Sequence, residues 1–91
     1  MRRAARRDAA EPEIVKALRA VGALVKHLND PDIGDLLIAY RGKWYVAEVK
    51  TGNAKRRPGQ IKFATDAEGA GVSTPVLRSV DDALQMIQGA K

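Results

Sequence analysis

The sequence predicts an α/β domain: a sheet of about four strands with helices on both faces. Three observations carry that reading. Apolar residues recur at helical spacing at residues 14–21 and again at 83–87. Between them, two apolar runs flank Arg41-Gly42, the pattern of a two-residue β-hairpin. A further helical stretch and a short β-rich run follow, so the order is helix, three strands, helix, strand, helix.

In order, residues 1–10 hold Arg2, Arg3, Arg6 and Arg7 and few apolar side chains, and are expected to form a basic flexible arm. Residues 11–91 are expected to form a single domain. Its first helix runs from Glu11, with Pro12 in the favoured first turn, to Val21, and Gly22 ends it. Ile14, Val15, Leu18 and Val21 make one apolar stripe. At about 100° per residue Glu11 projects onto the middle of that stripe and Glu13 onto the far side. Residues 23–28 read as a first strand, with His27 expected near the sheet edge rather than as a ligand. Asn29-Asp30-Pro31-Asp32 has turn chemistry.

The hairpin follows. Its third strand is apolar on both faces (Tyr45, Ala47, Val49 against Trp44, Val46), which predicts a central strand covered on both sides. Thr51 to Gly59 is a polar, basic loop. Pro58 to about Glu68 is expected to be helical, with Ile61, Phe63, Ala64 and Ala67 apolar and Gln60 in the first turn. Ser73 to Arg78 is a fourth strand in which Pro75 argues for an early or edge position. Ser79 with Asp82 marks the start of a last helix, with Ala83, Leu84 and Ile87 inward.

Composition narrows the chemistry. The chain has 91 residues, room for one small domain with a modest core that oligomerisation would help. It has no cysteine and one histidine, so disulfides, thiolate metal sites and histidine-rich zinc sites are out. Any metal must be held by oxygen, which points to Mg²⁺ or Mn²⁺. The net charge is +5, with Lys55, Arg56 and Arg57 forming a second basic cluster. That balance suits a polyanion such as nucleic acid, and equally a solvated basic surface. No apolar run of signal-peptide type follows the basic start, and no stretch is long enough to span a membrane, so a cytoplasmic location is expected.

The hairpin brings acids together. With Arg41-Gly42 as its loop, Tyr40 faces Lys43, Ala39 faces Trp44, Leu37 faces Val46, and Asp35 faces Glu48. Opposed Cβ atoms lie roughly 5 Å apart, and two carboxylates held so close repel unless a cation sits between them. Lys50 is two positions along the same strand, hence on the same face. Asp32 falls on the opposite face from Glu48, so Asp35 is the expected ligand.

At these residues the sequence resembles the PD-(D/E)xK nuclease superfamily. It looks most like the virus-type replication-repair nuclease (VRR-NUC) domain and the small archaeal-type Holliday-junction resolvases. The resemblance rests on the helix Glu11-Pro-Glu-Ile-Val-Lys-Ala-Leu, on Gly34-Asp35-Leu-Leu, on Tyr-Val-Ala-Glu48-Val-Lys50, and on Gln60 in the next helix. It covers residues from about 8 to 88. The literal Pro31-Asp32 sits three residues early, and the basic loop is shorter than is common.

The resemblance implies a restriction-endonuclease-like αβββαβα core with a mixed four-stranded sheet. It also implies a metal-dependent DNA endonuclease, structure-specific for branched or four-way-junction DNA as a homodimer, in a phage or mobile-element repair setting. Alternatives are a nicking or general endonuclease, a silent DNA-binding module, or a plain structural domain. Asp35, Glu48 and the Val49 carbonyl would bind Mg²⁺ (or Mn²⁺), and Glu11 would serve a second metal position, directly or through water. Lys50 would help activate a water, and Gln60 would orient the lysine or the water. Lys55, Arg56, Arg57 and Lys62, with Arg6 and Arg7 of the arm, would contact DNA.

Overall fold

A computed structural model describes residues 8–89 of the chain. Seven elements occur in the expected order: α1 (Glu11–Ala20), β1 (Leu24–His27), β2 (Leu36–Tyr40), β3 (Lys43–Val49), α2 (Pro58–Gly69), β4 (Val76–Leu77) and α3 (Val80–Gln88). They form an α/β fold around one mixed sheet in the order β1-β2-β3-β4. The first two pairings are antiparallel, and β4 joins β3 in parallel.

The β2–β3 register is the one the sequence predicts, with Tyr40 opposite Lys43, Ala39 opposite Trp44 and Leu37 opposite Val46. The turn sets it. Arg41 and Gly42 both have positive φ, +50° and +83°, the backbone of a turn whose twist matches that of the strands it joins. Arginine tolerates that conformation less easily than glycine, so the strand pairing holds it there.

One face of the sheet carries the core. Ile14, Val15 and Leu18 of α1 and Ala83 and Ile87 of α3 pack on Val25, Leu36, Ile38, Ala47, Val49 and Leu77. Each fully buried aliphatic side chain contributes roughly 1.5–3 kcal/mol. Val21, expected in the α1 stripe, is exposed instead: the helix ends at Ala20 and Val21 is its C-cap.

The opposite face departs from expectation. It is closed only near Glu48, where Gln60 and Ala64 are the buried residues of α2. Ile61 is exposed and Phe63 and Ala67 are half-buried. At the far end of the same face Trp44 is 66 % exposed and Leu24 is also exposed. The apolar alternation of β3 therefore marks one face buried in the core and one partly open. Sequence pattern reports that a face is apolar; it does not report how far a short helix reaches across it.

The fourth strand is also shorter than expected, because only Val76 and Leu77 pair with β3, opposite Glu48 and Val49. Among the described residues no helix is long and apolar enough to cross a membrane.

Candidate active site

The candidate site forms where β2 peels away from β3. Gly34 makes this possible. It is buried against β3, and a Cβ at its position would lie 3.0 Å from Val46 Cγ1 and 3.2 Å from the Ala47 carbonyl oxygen. A larger residue would push the chain off β3 just before Asp35. Next along, the Asp35 N–H donates to the Ala47 carbonyl at 2.9 Å, and Asp35 Oδ2 accepts the Val49 N–H at 2.7 Å. The carboxylate thus stands where the departing strand would have offered a backbone carbonyl. In an extended residue the N–H and C=O point to the same side, so the Val49 carbonyl is directed toward Asp35 as well.

Glu48 lies between core residues Ala47 and Val49, and alternation sends it to the other face. The regular β2–β3 pairing ends at Leu36–Ala47, and the Asp35 N–H also reaches the Ala47 carbonyl, so Asp35 stands at the irregular end of the ladder, next to the strand position that Glu48 occupies. Glu48 is 0 % exposed. One oxygen, Oε1, accepts from Arg56 Nε at 2.8 Å; the other, Oε2, is buried with no hydrogen-bond partner among the described residues. Lys50 is half-buried, and its N–H donates to the Leu77 carbonyl at 3.2 Å, so the strand alternation continues through it.

Asp32 belongs elsewhere. Its carboxylate packs on the start of α2, so close to Gly59 that a Cβ there would lie 2.3 Å from Oδ1. Gln60, 3 % exposed, uses its amide on the same region: Oε1 accepts the Arg57 N–H at 2.8 Å and Nε2 donates to the Pro31 carbonyl at 3.1 Å. These bonds make Gln60 a clamp on the 29–35 loop that carries Asp35, where the sequence reading had it orienting Lys50 or water.

Glu11 is buried, as its place on the helix stripe predicts, but its Oε2 meets His27 Nδ1 at 2.8 Å. His27 shares the core face with Val25, whereas Glu48 is on the other face. No group of three His, Asp or Glu side chains able to hold a metal occurs among the described residues, so Glu11 does not join Asp35 and Glu48 in one cluster.

Arg56 of the basic loop is turned inward. Arg56 holds Glu48 and also donates through Nη2 to the Thr74 carbonyl. Arg57 donates to the Pro31 carbonyl at 2.7 Å. Of these two expected DNA contacts, Arg56 is mostly covered and Arg57 keeps about half of its side chain exposed. A buried carboxylate needs a counter-charge, and the loop's curl over Glu48 supplies one. Lys55 is exposed, and exposed Lys62 pairs with Asp66 at 3.0 Å, one helical turn on. Arg6 and Arg7 lie outside the described residues.

Sequence reasoning missed Asp8. Its carboxylate accepts the N–H and the hydroxyl of Thr51 and the Ala10 N–H, tying the start of α1 to the end of β3 beside Lys50. The available signal was small: Asp8 is the one acid in an otherwise basic opening decapeptide.

Partial burial by itself raises the Asp8 pKa. The Thr51 hydroxyl, the Ala10 and Thr51 N–H groups and the Lys50 charge outweigh it, and hold the carboxyl below the ordinary aspartate range. A depressed pKa gives stability that is present above the unfolded value and lost as pH falls through the folded one. Asp8→Ala is therefore expected to cost about 1–2 kcal/mol near neutrality. Thermal melts should show the gap to the unsubstituted protein narrowing below about pH 4. A gap that does not vary with pH would remove the ionised contact from the account.

A mixed four-stranded sheet with three helices defines an α/β domain of nuclease-like architecture. A solved structure titled "VRR_NUC domain" has this fold. It superposes with a TM-score of 0.71 at 25% sequence identity, covering 90% of this chain and 98% of that one. The likeness relates the chain to the VRR-NUC domains. No family model matches the sequence, and no curated protein matches it.

Proposed function

We propose that the chain is a divalent-metal-dependent DNA endonuclease, acting on branched or four-way-junction DNA as a homodimer. The observation that supports the reading is the Asp35 carboxylate hydrogen-bonded to the Val49 N–H, next in the chain to the fully buried Glu48. The residues fit a hard dication: two carboxylates and a carbonyl are all-oxygen donors, and Glu48 Oε2 is a buried oxygen without a hydrogen-bond partner among the described residues. Asp35, Glu48 and the Val49 carbonyl would hold Mg²⁺ or Mn²⁺; when bound, the ion acts as a Lewis acid on a phosphodiester and stabilises charge on the leaving oxygen.

The protein's own contribution is orientation and charge. The Asp35–Val49 hydrogen bond fixes one carboxylate, and the Arg56 guanidinium holds the other. The Lys50 ammonium would orient an attacking water and offset the negative charge that develops on phosphorus oxygens. Gln60 keeps the Asp35 loop in place through Pro31. Glu11, paired with His27, acts through packing of the helix start. Lys55 and Lys62 offer exposed positive charge for the phosphate backbone, joined by Arg6 and Arg7. A homodimer would set two such sites on two strands, and the exposed apolar residues Leu24 and Trp44 suit burial by a second copy.

The test is cleavage of labelled duplex, nicked, flap and four-way-junction DNA with Mg²⁺, with Mn²⁺ and with a chelator. Cutting that requires the metal, and that is lost in Lys50→Ala and Asp35→Asn but kept in Asp32→Asn, supports the reading. Metal-independent binding without cutting would assign a silent DNA-binding module. Equal cutting of plain duplex and junction would assign a general endonuclease.

A further inference from the structure

We propose that Arg56 is the resident counter-ion of Glu48 and gates metal loading: its guanidinium must leave Glu48 before a divalent cation is held there. The inference rests on the metal-nuclease reading above and gives that reading a residue it does not otherwise use.

Geometry and burial carry it. Glu48 has no exposed surface, so its charge must be matched from within the protein. The match is lopsided. Arg56 Nε lies 2.8 Å from Oε1, while Oε2 has no hydrogen-bond partner among the described residues. One end of the carboxylate is neutralised and the other is left for a second charge.

Arg56 is also placed to move. The same guanidinium is shared with the Thr74 carbonyl, so it bridges β3 and the segment before β4 without belonging to either. Arg56 itself lies in residues 54–56, between the turn at 52–53 and the Arg57 cap of α2, outside any helix or strand. Its side chain keeps a quarter of its surface exposed, which gives it a way out to solvent.

Charge balance gives the direction. Glu48 brings one negative charge and Arg56 one positive charge, so this buried pair is balanced as it stands. A dication added beside Arg56 must share one carboxylate with a guanidinium, and the two cations repel at close range in a buried site. Departure of Arg56 relieves that repulsion and frees a loop arginine to meet an incoming phosphate.

The prediction is read in metal binding, without DNA and without turnover. Titration calorimetry with Mn²⁺ alone is compared for the unsubstituted chain, Arg56→Met and Glu48→Gln. Arg56→Met keeps the bulk and removes the charge, and is expected to bind Mn²⁺ about tenfold tighter or better; Glu48→Gln is expected to abolish the binding. In the unsubstituted chain, the Arg56 Nε–H resonance is expected to move toward the position of solvent-exposed arginines at saturating Mg²⁺. That second measurement stands alone if Arg56→Met fails to fold. An Arg56→Met affinity no tighter than that of the unsubstituted chain overturns the exchange, and so does an Arg56 signal that stays put at saturation. Absence of binding in the unsubstituted chain and in Arg56→Met alike would overturn the metal-nuclease reading, and the exchange with it.

Discussion

Glu48→Gln is expected to lower DNA cleavage by about a thousandfold, because a catalytic metal contributes several kcal/mol and about 1.4 kcal/mol corresponds to a factor of ten. The substitution keeps shape and removes charge. Glutamine fills the same buried volume, and its amide oxygen can still accept from Arg56 Nε. What disappears is the negative charge at position 48. The measurement is single-turnover cleavage of a junction substrate at saturating Mg²⁺, with circular dichroism to verify the fold. Retention of more than a tenth of the activity would mean that Glu48 is not a metal ligand.

The second large effect is on stability. Ile38→Ala is expected to cost about 2–5 kcal/mol, from lost transfer energy plus the cavity left behind. Ile38 has no exposed surface and sits mid-strand, paired with Val25 on one side and Tyr45 on the other, under the α1–α3 layer. No neighbouring element is free to collapse into the space. In a chain of 91 residues the whole margin is of the order of 5–10 kcal/mol, so the variant should approach the unfolding threshold. Urea denaturation measures it; a midpoint shift worth under 1 kcal/mol would imply a core looser than the packing indicates.

How much of this was legible in the sequence follows from which interactions are local. The hairpin register was, because a two-residue turn and strand alternation leave one pairing that keeps Leu36, Ile38, Ala47 and Val49 inside. The burial of Glu11 followed from helix periodicity in the same way.

The partners of the polar groups were not legible. Whether Arg56 faces DNA or Glu48 depends on the path of an irregular loop that no periodicity constrains. Gln60 reads identically in sequence whether it reaches toward Lys50 or clamps Pro31, and only the position of the 29–35 loop decides. Asp8 and Thr51 are 43 residues apart, and nothing local announces that contact. The half-open sheet face was missed for a related reason: apolar spacing in α2 says nothing about which of its residues find a partner, and Ile61 does not.

The tight turn at Arg41-Gly42 has a practical consequence. It lies at the opposite end of β3 from Glu48, about 17 Å along the strand at ~3.4 Å per residue. Both turn residues are exposed, and neither belongs to the core. Extra residues spliced in at that tip would extend the ribbon into solvent and leave the spacing of the acids untouched. It is the natural port for grafting a recognition module onto this scaffold.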